Sequence, residues 1–427
     1  MDNKTKNKNP EVRFKGFTED WCESNFNNTF NSLSNNTLSR ADLNYKTGLA
    51  KNIHYGDVLI KFREILDVQN NEIPFISNNE LVDKFKASKL QNGDVIFADA
   101  AEDEIVGKCT EIINVHNEVI YPGLHTIAVR PSFLFASNYL GYYLNSPAYH
   151  NQLIKIMQGT KVLSISKSAI KNTLVLHPKD TTEQKQIGSF FQNLDNLITL
   201  HQKKYDKLII LKKAMLVKMF PKNGDVVPEI RFKGFTEDWE EKTFGNEVDF
   251  FSGLTYAPNN VVRKGGTLVL RSSNVKNGQI ILSDNVFVDS DFINCDNVKV
   301  GDIIVVVRNG SRSLIGKHSV VKNQMKKTVI GAFMTGLRPK QSDFINSLLD
   351  TNQFNKEIEK NIGATINQIT NGAFKSMLFM FPLPKEQQKI GDYFKNLDNQ
   401  IALHQTQLDK LKNIKKACFT KMFVAQD

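Results

Sequence analysis

Two stretches of the chain carry a heptad pattern. In the first, Ile187, Phe191, Leu194, Ile198, His201, Tyr205 and Leu208 recur at alternating spacings of four and three. In the second, Ile390, Phe394, Leu397, Ile401, His404, Leu408 and Leu411 keep the same register. An apolar stripe at this spacing, with Lys and Gln on the other faces, predicts the seam of a long paired helix. Thr181-x-x-Gln184 reads as a capping box for the first helix, and Pro384 suits the first turn of the second. The "PKNGD" run from Pro221 ends the first helix. At 1.5 Å per residue, about 35 residues give each helix a length of about 50 Å. Two such helices in one chain most simply pair with each other, antiparallel. His201 and His404 then fall near the helix middles, either as packed seam residues or as polar residues that set the register.

Between and before these helices the pattern changes. Short runs such as Gly93–Ala98, His125–Pro131, Thr267–Arg271 and Gly301–Gly310 are strand-like and bounded by Asn, Gly and Asp turns. Shorter helical patterns intervene, as in the stretch from Ser137 to Met157. Each such middle reads as a compact α+β domain.

The chain is also a repeat of itself. "PEVRFKGFTEDW" (Pro10–Trp21) returns as "PEIRFKGFTEDW" (Pro228–Trp239), and the helix sequences from Glu183 and from Glu386 are close copies. Landmarks in the diverged middles keep their order: Gly93-Asp94 and Gly301-Asp302, Gly107-Lys108 and Gly316-Lys317, Arg130-Pro131 and Arg338-Pro339. The organisation predicted is head segment plus first domain over 1–180, first helix over 181–222, head segment plus second domain over 223–383, and second helix over 384–427. A constant scaffold with two different middles suggests two different specificities. The near-identical head phrase is then expected to anchor rather than to read.

Composition adds the partner. The 427 residues carry a net charge of +10, which favours a polyanion such as nucleic acid. Cys22, Cys109, Cys295 and Cys418 are isolated, with neither a metal-ligand spacing nor a disulfide framework, as in a reducing cytoplasm. Aliphatic runs such as Ile303–Val307 are far too short to span a bilayer.

Catalytic signatures do not emerge. "GSRSLIGKH" (Gly310–His318) has the wrong spacing for a phosphate loop and a His where the magnesium-binding hydroxyl belongs. No G-x-G-x-x-G turn follows a strand, so no nucleotide or S-adenosylmethionine pocket is indicated. No metal site is expected.

The middles instead offer DNA-contacting side chains. Arg308, Asn309, Ser311, Arg312 and Lys317 share one turn-rich loop, with Arg271 at the end of a neighbouring strand. Arg reads guanine bidentately, Asn reads adenine, and Ser and Lys hold phosphates. The matching loop of the first half, Ala98–Lys108, is acidic, so Lys84, Lys86, Lys89 and Lys108 would have to supply affinity. Gly-led polar segments placed alike in both halves add Thr160, Lys161 and Lys167 in the first and Asn367 and Gln368 in the second.

With these features together, the chain resembles the DNA-specificity subunit of type I restriction–modification enzymes over nearly its whole length. The resemblance rests on the doubled head–middle–helix plan. It rests also on "GTKVLSISKSAIKNTLVLHPKDTTEQKQI" and "GATINQITNGAFKSMLFMFPLPKEQQKI", each leading into an Asn-Leu-Asp-Asn helix. It implies two target-recognition domains separated by an antiparallel helix pair, reading an asymmetric bipartite site in double-stranded DNA. It implies two methyltransferase subunits that bring S-adenosylmethionine, and restriction motor–nuclease subunits that bring ATP and Mg. The chain itself would be non-catalytic and bind no cofactor. The alternative left open by the residues is a single-chain methyltransferase or nuclease with a degenerate active site.

Overall fold

In a computed structural model describing residues 8–222, 224–363 and 366–425, the chain forms two compact units. One comprises the residues up to His201 together with those from Gln407 onward; the other is Gln202–Thr406. The divisions fall inside two 38-residue helices, α1 (Thr181–Lys218) and α2 (Pro384–Lys421). Each unit therefore owns the first half of one long helix and the second half of the other.

Within each unit those half-helices run antiparallel. In the first, Phe191 of α1 meets Phe419 of α2 edge-on at 4.8 Å, and the Lys415 ammonium bonds Asp195 at 2.8 Å. In the second, Phe394 of α2 packs against Phe220 at 6.1 Å, and Lys212 bonds Asp398 at 2.5 Å. The seam residues Phe191, Leu194, Phe394, Leu397 and Leu408 are buried, whereas Ile198, His201, Leu208, Ile401 and His404 are half-buried.

The expected capping box is not formed. Asp180 precedes the helix and its carboxylate accepts from the Thr182 N–H at 2.7 Å, so Asp180 is the cap. Gln184 is drawn elsewhere: it donates to the Pro178 carbonyl and accepts from the Ala136 N–H. Each helix also carries an interior glycine, normally unfavourable. A Cβ at Gly391 would stand 2.7 Å from the Phe344 backbone nitrogen, and one at Gly188 would stand 3.1 Å from Ser137 and Asn138 backbone atoms. The glycines let the domain backbone lie directly on the helix.

Both units share one topology. The first has a five-stranded sheet ordered Phe30–Leu33, Thr126–Pro131, Val95–Ala98, Cys109–Ile113, Ile65–Asp67. The second has the sheet Val248–Ser252, Met334–Pro339, Ile303–Val306, His318–Val320, with the fifth position empty among the described residues. A smaller four-stranded sheet also corresponds in order: Ile120–Pro122, Lys51–Ile53, Phe75–Ile76, Leu43–Asn44 against Thr328–Ile330, Thr267–Leu270, Val286–Val288, Val261–Val262. The stretch from Ser137 forms two helices, Tyr139–Asn145 and Pro147–Ile154, because Pro147 starts a new helix at its first position.

The strands that matter below are β1 (Val95–Ala98), β2 (Thr126–Pro131), β3 (Ile303–Val306) and β4 (Met334–Pro339). β1 pairs antiparallel with β2, and β3 with β4. The recurring Gly-Asp and Arg-Pro landmarks are the lock between them. Arg130 makes two bonds to buried Asp94 at 2.8 and 2.7 Å, and Arg338 makes two to buried Asp302 at 2.9 and 3.0 Å. Gly93 and Gly301 precede the aspartates with φ of +88° and +92°, a turn that disfavours any side chain.

The repeated head phrase is an anchor. Arg13 makes a two-pronged bond to Glu183 at 2.7 and 2.9 Å, and Arg231 makes the same bond to Glu386 at 2.7 and 2.8 Å. The phrase also reaches the other helix's end: the Val12 N–H donates to the Lys421 carbonyl, and the Ile230 N–H to that of Lys218. Trp21 packs on Phe423 and Trp239 on Phe220. One segment thus clips the start of one long helix to the end of the other.

Candidate nucleic-acid interface

In the second unit three polar segments converge beyond the end of β3. Arg308 pairs with Gln368 as an isolated β-bridge, and the Asn309 N–H donates to the Asn367 carbonyl at 3.2 Å. The Asn367 side-chain amide donates back to the Gly310 carbonyl at 3.0 Å, while Asn309 Nδ2 reaches Ser272 Oγ at 3.1 Å. Ser311 and Ser313 share a hydroxyl–hydroxyl bond at 2.9 Å. The loop Arg308–Arg312, the segment Ile366–Gln368 and the turn at Ser272 therefore form one surface rich in Arg, Asn, Gln and Ser. Ala364 and Thr365, within the same Gly-led segment, lie outside the described residues.

The first unit builds the same arrangement with other side chains. Beyond β1, Ala100–Ala101 pairs with Leu163–Ser164, and the Ile165 N–H donates to the Asp99 carbonyl. The Gln158–Ser164 pair closes a tight hairpin that carries Thr160 and Lys161 at its exposed tip. Lys167 follows, half-buried, its ammonium 3.1 Å from Asn35 Oδ1. Asp99 faces His125 at 3.2 Å, and burial raises its carboxyl pKa against the pull of that imidazole. Where the second unit offers Arg308, the first offers Ala100.

Several expected residues stand elsewhere. Lys84, Lys86 and Lys89 are exposed, and the stretch they occupy packs on the small sheet through Phe85 against Tyr121; Lys86 pairs with Asp83 at 3.0 Å. Lys108 is half-buried and donates to the Leu59 carbonyl at 2.8 Å, with burial lowering its pKa. The turn at Gly107 carries it back to the next strand and away from the loop tip, and Gly316 does the same to half-buried Lys317. Arg271 and Arg312 stay with the second cluster but are engaged there, Arg271 by Asp284 at 2.7 Å and Arg312 by the Glu359 carbonyl at 3.4 Å. Lys108 instead lines a cavity of about 540 Å³ with Arg63, Glu64, Asp195, Lys412 and Lys415.

Four participants were not singled out from the sequence: Ser272, Asn35, His125 and the exposed ring of Phe333, over which Arg308 lies at 4.9 Å. The spacing of the landmark repeats locates Phe333, one residue before β4, but no motif marks it.

Comparison with known proteins matches the chain to the family described as the type I restriction modification DNA specificity domain, over residues 3–209 and 236–413. The type I restriction enzyme MjaVIII specificity subunit of Methanocaldococcus jannaschii is 26% identical over 275 residues, 61% of this chain and 63% of that protein. The putative MjaX specificity subunit of the same organism is 24% identical over 77% of each chain. The crystal structure of a type I restriction–modification S subunit from M. genitalium shares the fold, with a TM-score of 0.60, 12% identity, and coverage of 98% of this chain and 100% of that one. The chain belongs to the type I restriction modification DNA specificity family.

Proposed function

We propose that this member of the family is the non-catalytic specificity subunit of a type I restriction–modification complex, reading an asymmetric, two-part sequence in double-stranded DNA. The observation that carries the reading is the pair of loop clusters beyond β1 and β3: matched in topology, unlike in side chains. A scaffold repeated with different contact residues suits two different half-sites better than a palindrome. Residues 1–180 and 223–383 would each supply one reader, and 181–222 and 384–427 the helical frame. In the second cluster Arg308 and Arg312 suit guanine edges or phosphates, and Asn309, Asn367 and Gln368 suit adenine. In the first, Thr160, Lys161 and Lys167 supply contacts around an acidic loop.

The methyl group, the ATP and the Mg belong to other chains in this reading. Two methyltransferase subunits would hold S-adenosylmethionine, and restriction subunits the motor and nuclease. The cell compartment is the cytoplasm, where DNA is accessible; among the described residues no helix is long and apolar enough to cross a membrane.

The test is binding of cognate duplex by the full chain assembled with its modification subunits, across a salt series. Affinity is expected to fall linearly on a log–log plot, with a slope of about −0.9 per phosphate contact. Arg308→Ala and Arg312→Ala are expected to weaken cognate binding. Binding indifferent to salt and to both substitutions would count against the assignment. So would S-adenosylmethionine binding or DNA modification by the chain alone.

A further inference from the structure

One backbone position presents an exposed ring at the centre of each loop cluster. In the second unit it is Phe333, 54% exposed; in the first it is His125, with its side chain 53% exposed. Strand register makes them equivalent. Thr126 pairs with Ala98 and Met334 with Val306, so each ring sits one residue before its strand and faces the loop that leaves β1 or β3. The hydrogen bonds agree: the Asp99 N–H donates to the His125 carbonyl at 3.1 Å, and the Val307 N–H to the Phe333 carbonyl at 3.0 Å.

Exposure of a single apolar side chain means little by itself. These two rings are positioned. The Phe333 carbonyl also accepts from the Arg308 N–H at 3.2 Å, and the Arg308 guanidinium lies over the ring at 4.9 Å. His125 adopts φ +54°, in the left-handed region that non-glycine residues seldom occupy. Its Nδ1 is held by the Asp99 carboxylate at 3.2 Å, and Tyr55 packs edge-on at 5.3 Å. With Nδ1–H donating to Asp99, Nε2 is left as the polar atom available to a ligand.

On the functional reading above, we infer that His125 and Phe333 are equivalent base-contacting residues, one for each half of the DNA target. Phe333 is suited to the methyl group of a thymine and sits beside Arg308, which is suited to a guanine. On this inference one half-site contains a thymine met by Phe333, beside the guanine or phosphate held by Arg308. His125 is suited, through Nε2, to a polar group on a base edge, and sets one base of the other half-site. Side chains at this position diverge because the half-sites do, while the strand register and the carbonyl bond that place them are shared.

The test is the set of sequences methylated in cells carrying the full chain and its modification subunits, compared for wild type, Phe333→Ala and His125→Asn. Asparagine tolerates the left-handed backbone of His125. Phe333→Ala is expected to lower the preference for thymine at one position by roughly tenfold, with the other half-site unchanged. His125→Asn is expected to alter one position in that other half-site only. Phe333→Gln, which keeps a long side chain, takes the place of the alanine variant if thermal melting shows the latter unstable. Unchanged wild-type sequences in both variants, with melting temperatures intact, would overturn the inference and leave the functional reading standing. A wild-type complex that marks no two-part sequence would overturn that reading itself.

Discussion

Removing Arg231 should destabilise the second unit by an amount the geometry allows to be worked out. Its guanidinium bonds both oxygens of Glu386, at 2.7 and 2.8 Å, and the Glu386 side chain is 1% exposed. Arg231→Ala leaves that carboxylate buried without its cation. Breaking a buried pair in this way costs about 3–5 kcal/mol. Arg231 keeps 15% of its side chain in contact with solvent, so the lower end applies, about 3 kcal/mol. The same guanidinium donates to the Glu237 carbonyl at 2.6 Å, so the head phrase should loosen with it. Glu386→Gln keeps the shape and part of the hydrogen bonding, and should cost less, about 1–2 kcal/mol. The assay is urea unfolding followed by Trp239, which is buried against Phe220 in this unit. The chain's other tryptophan, Trp21, is replaced by Phe in all variants. A double-mutant cycle with Arg231→Met and Glu386→Leu isolates the coupling. A coupling energy below about 0.5 kcal/mol, the scale of an exposed pair, would refute the clip. Arg13→Ala should act in the same way on the first unit, read from Trp21 in a chain that keeps Trp21 and carries Trp239→Phe instead.

Two further perturbations follow from single residues. Glu111 is buried and accepts from the Asn138 and Gly141 N–H groups; burial nonetheless raises its pKa to about 7. The folded state then holds a proton that the unfolded chain has released, so the first unit loses stability as pH rises from about 4.5 to 7, by about 3 kcal/mol in all. Glu111→Gln should flatten that dependence in melting curves taken across this range; an unchanged slope would exclude Glu111 as its source. Gly391→Ala replaces a poor helix former with the best, which would add about 1 kcal/mol in a free helix. Because the new Cβ would stand 2.7 Å from the Phe344 nitrogen, the variant should instead lower the melting temperature. A rise would show that the domain does not rest on the helix at that point.

Much of this was legible because the chain is its own comparison. The heptad seam announced α1 and α2, and the Gly-Asp and Arg-Pro landmarks proved to be the Asp94–Arg130 and Asp302–Arg338 locks. The anchor role of the head phrase followed from its constancy. The small sheets were not legible, since strands such as Leu43–Asn44 and Val261–Val262 are too short to show a period. Charge alone does not show that the turn at Gly107 carries Lys108 to the Leu59 carbonyl, or that Arg271 pairs with Asp284 across a loop. The Thr181 cap lost to Asp180, an equally good cap one residue earlier. Phe333 and His125 belong to no motif; strand register makes them a pair.

The central claim is that one chain holds two different readers. Base-resolution mapping of methylated DNA in cells carrying this chain with its modification subunits tests it most directly. The account predicts a two-part sequence with a fixed gap and unlike halves, in which exchanging residues 223–383 for those of a relative changes one half alone. A continuous or palindromic sequence, or an exchange that alters both halves together, would contradict it.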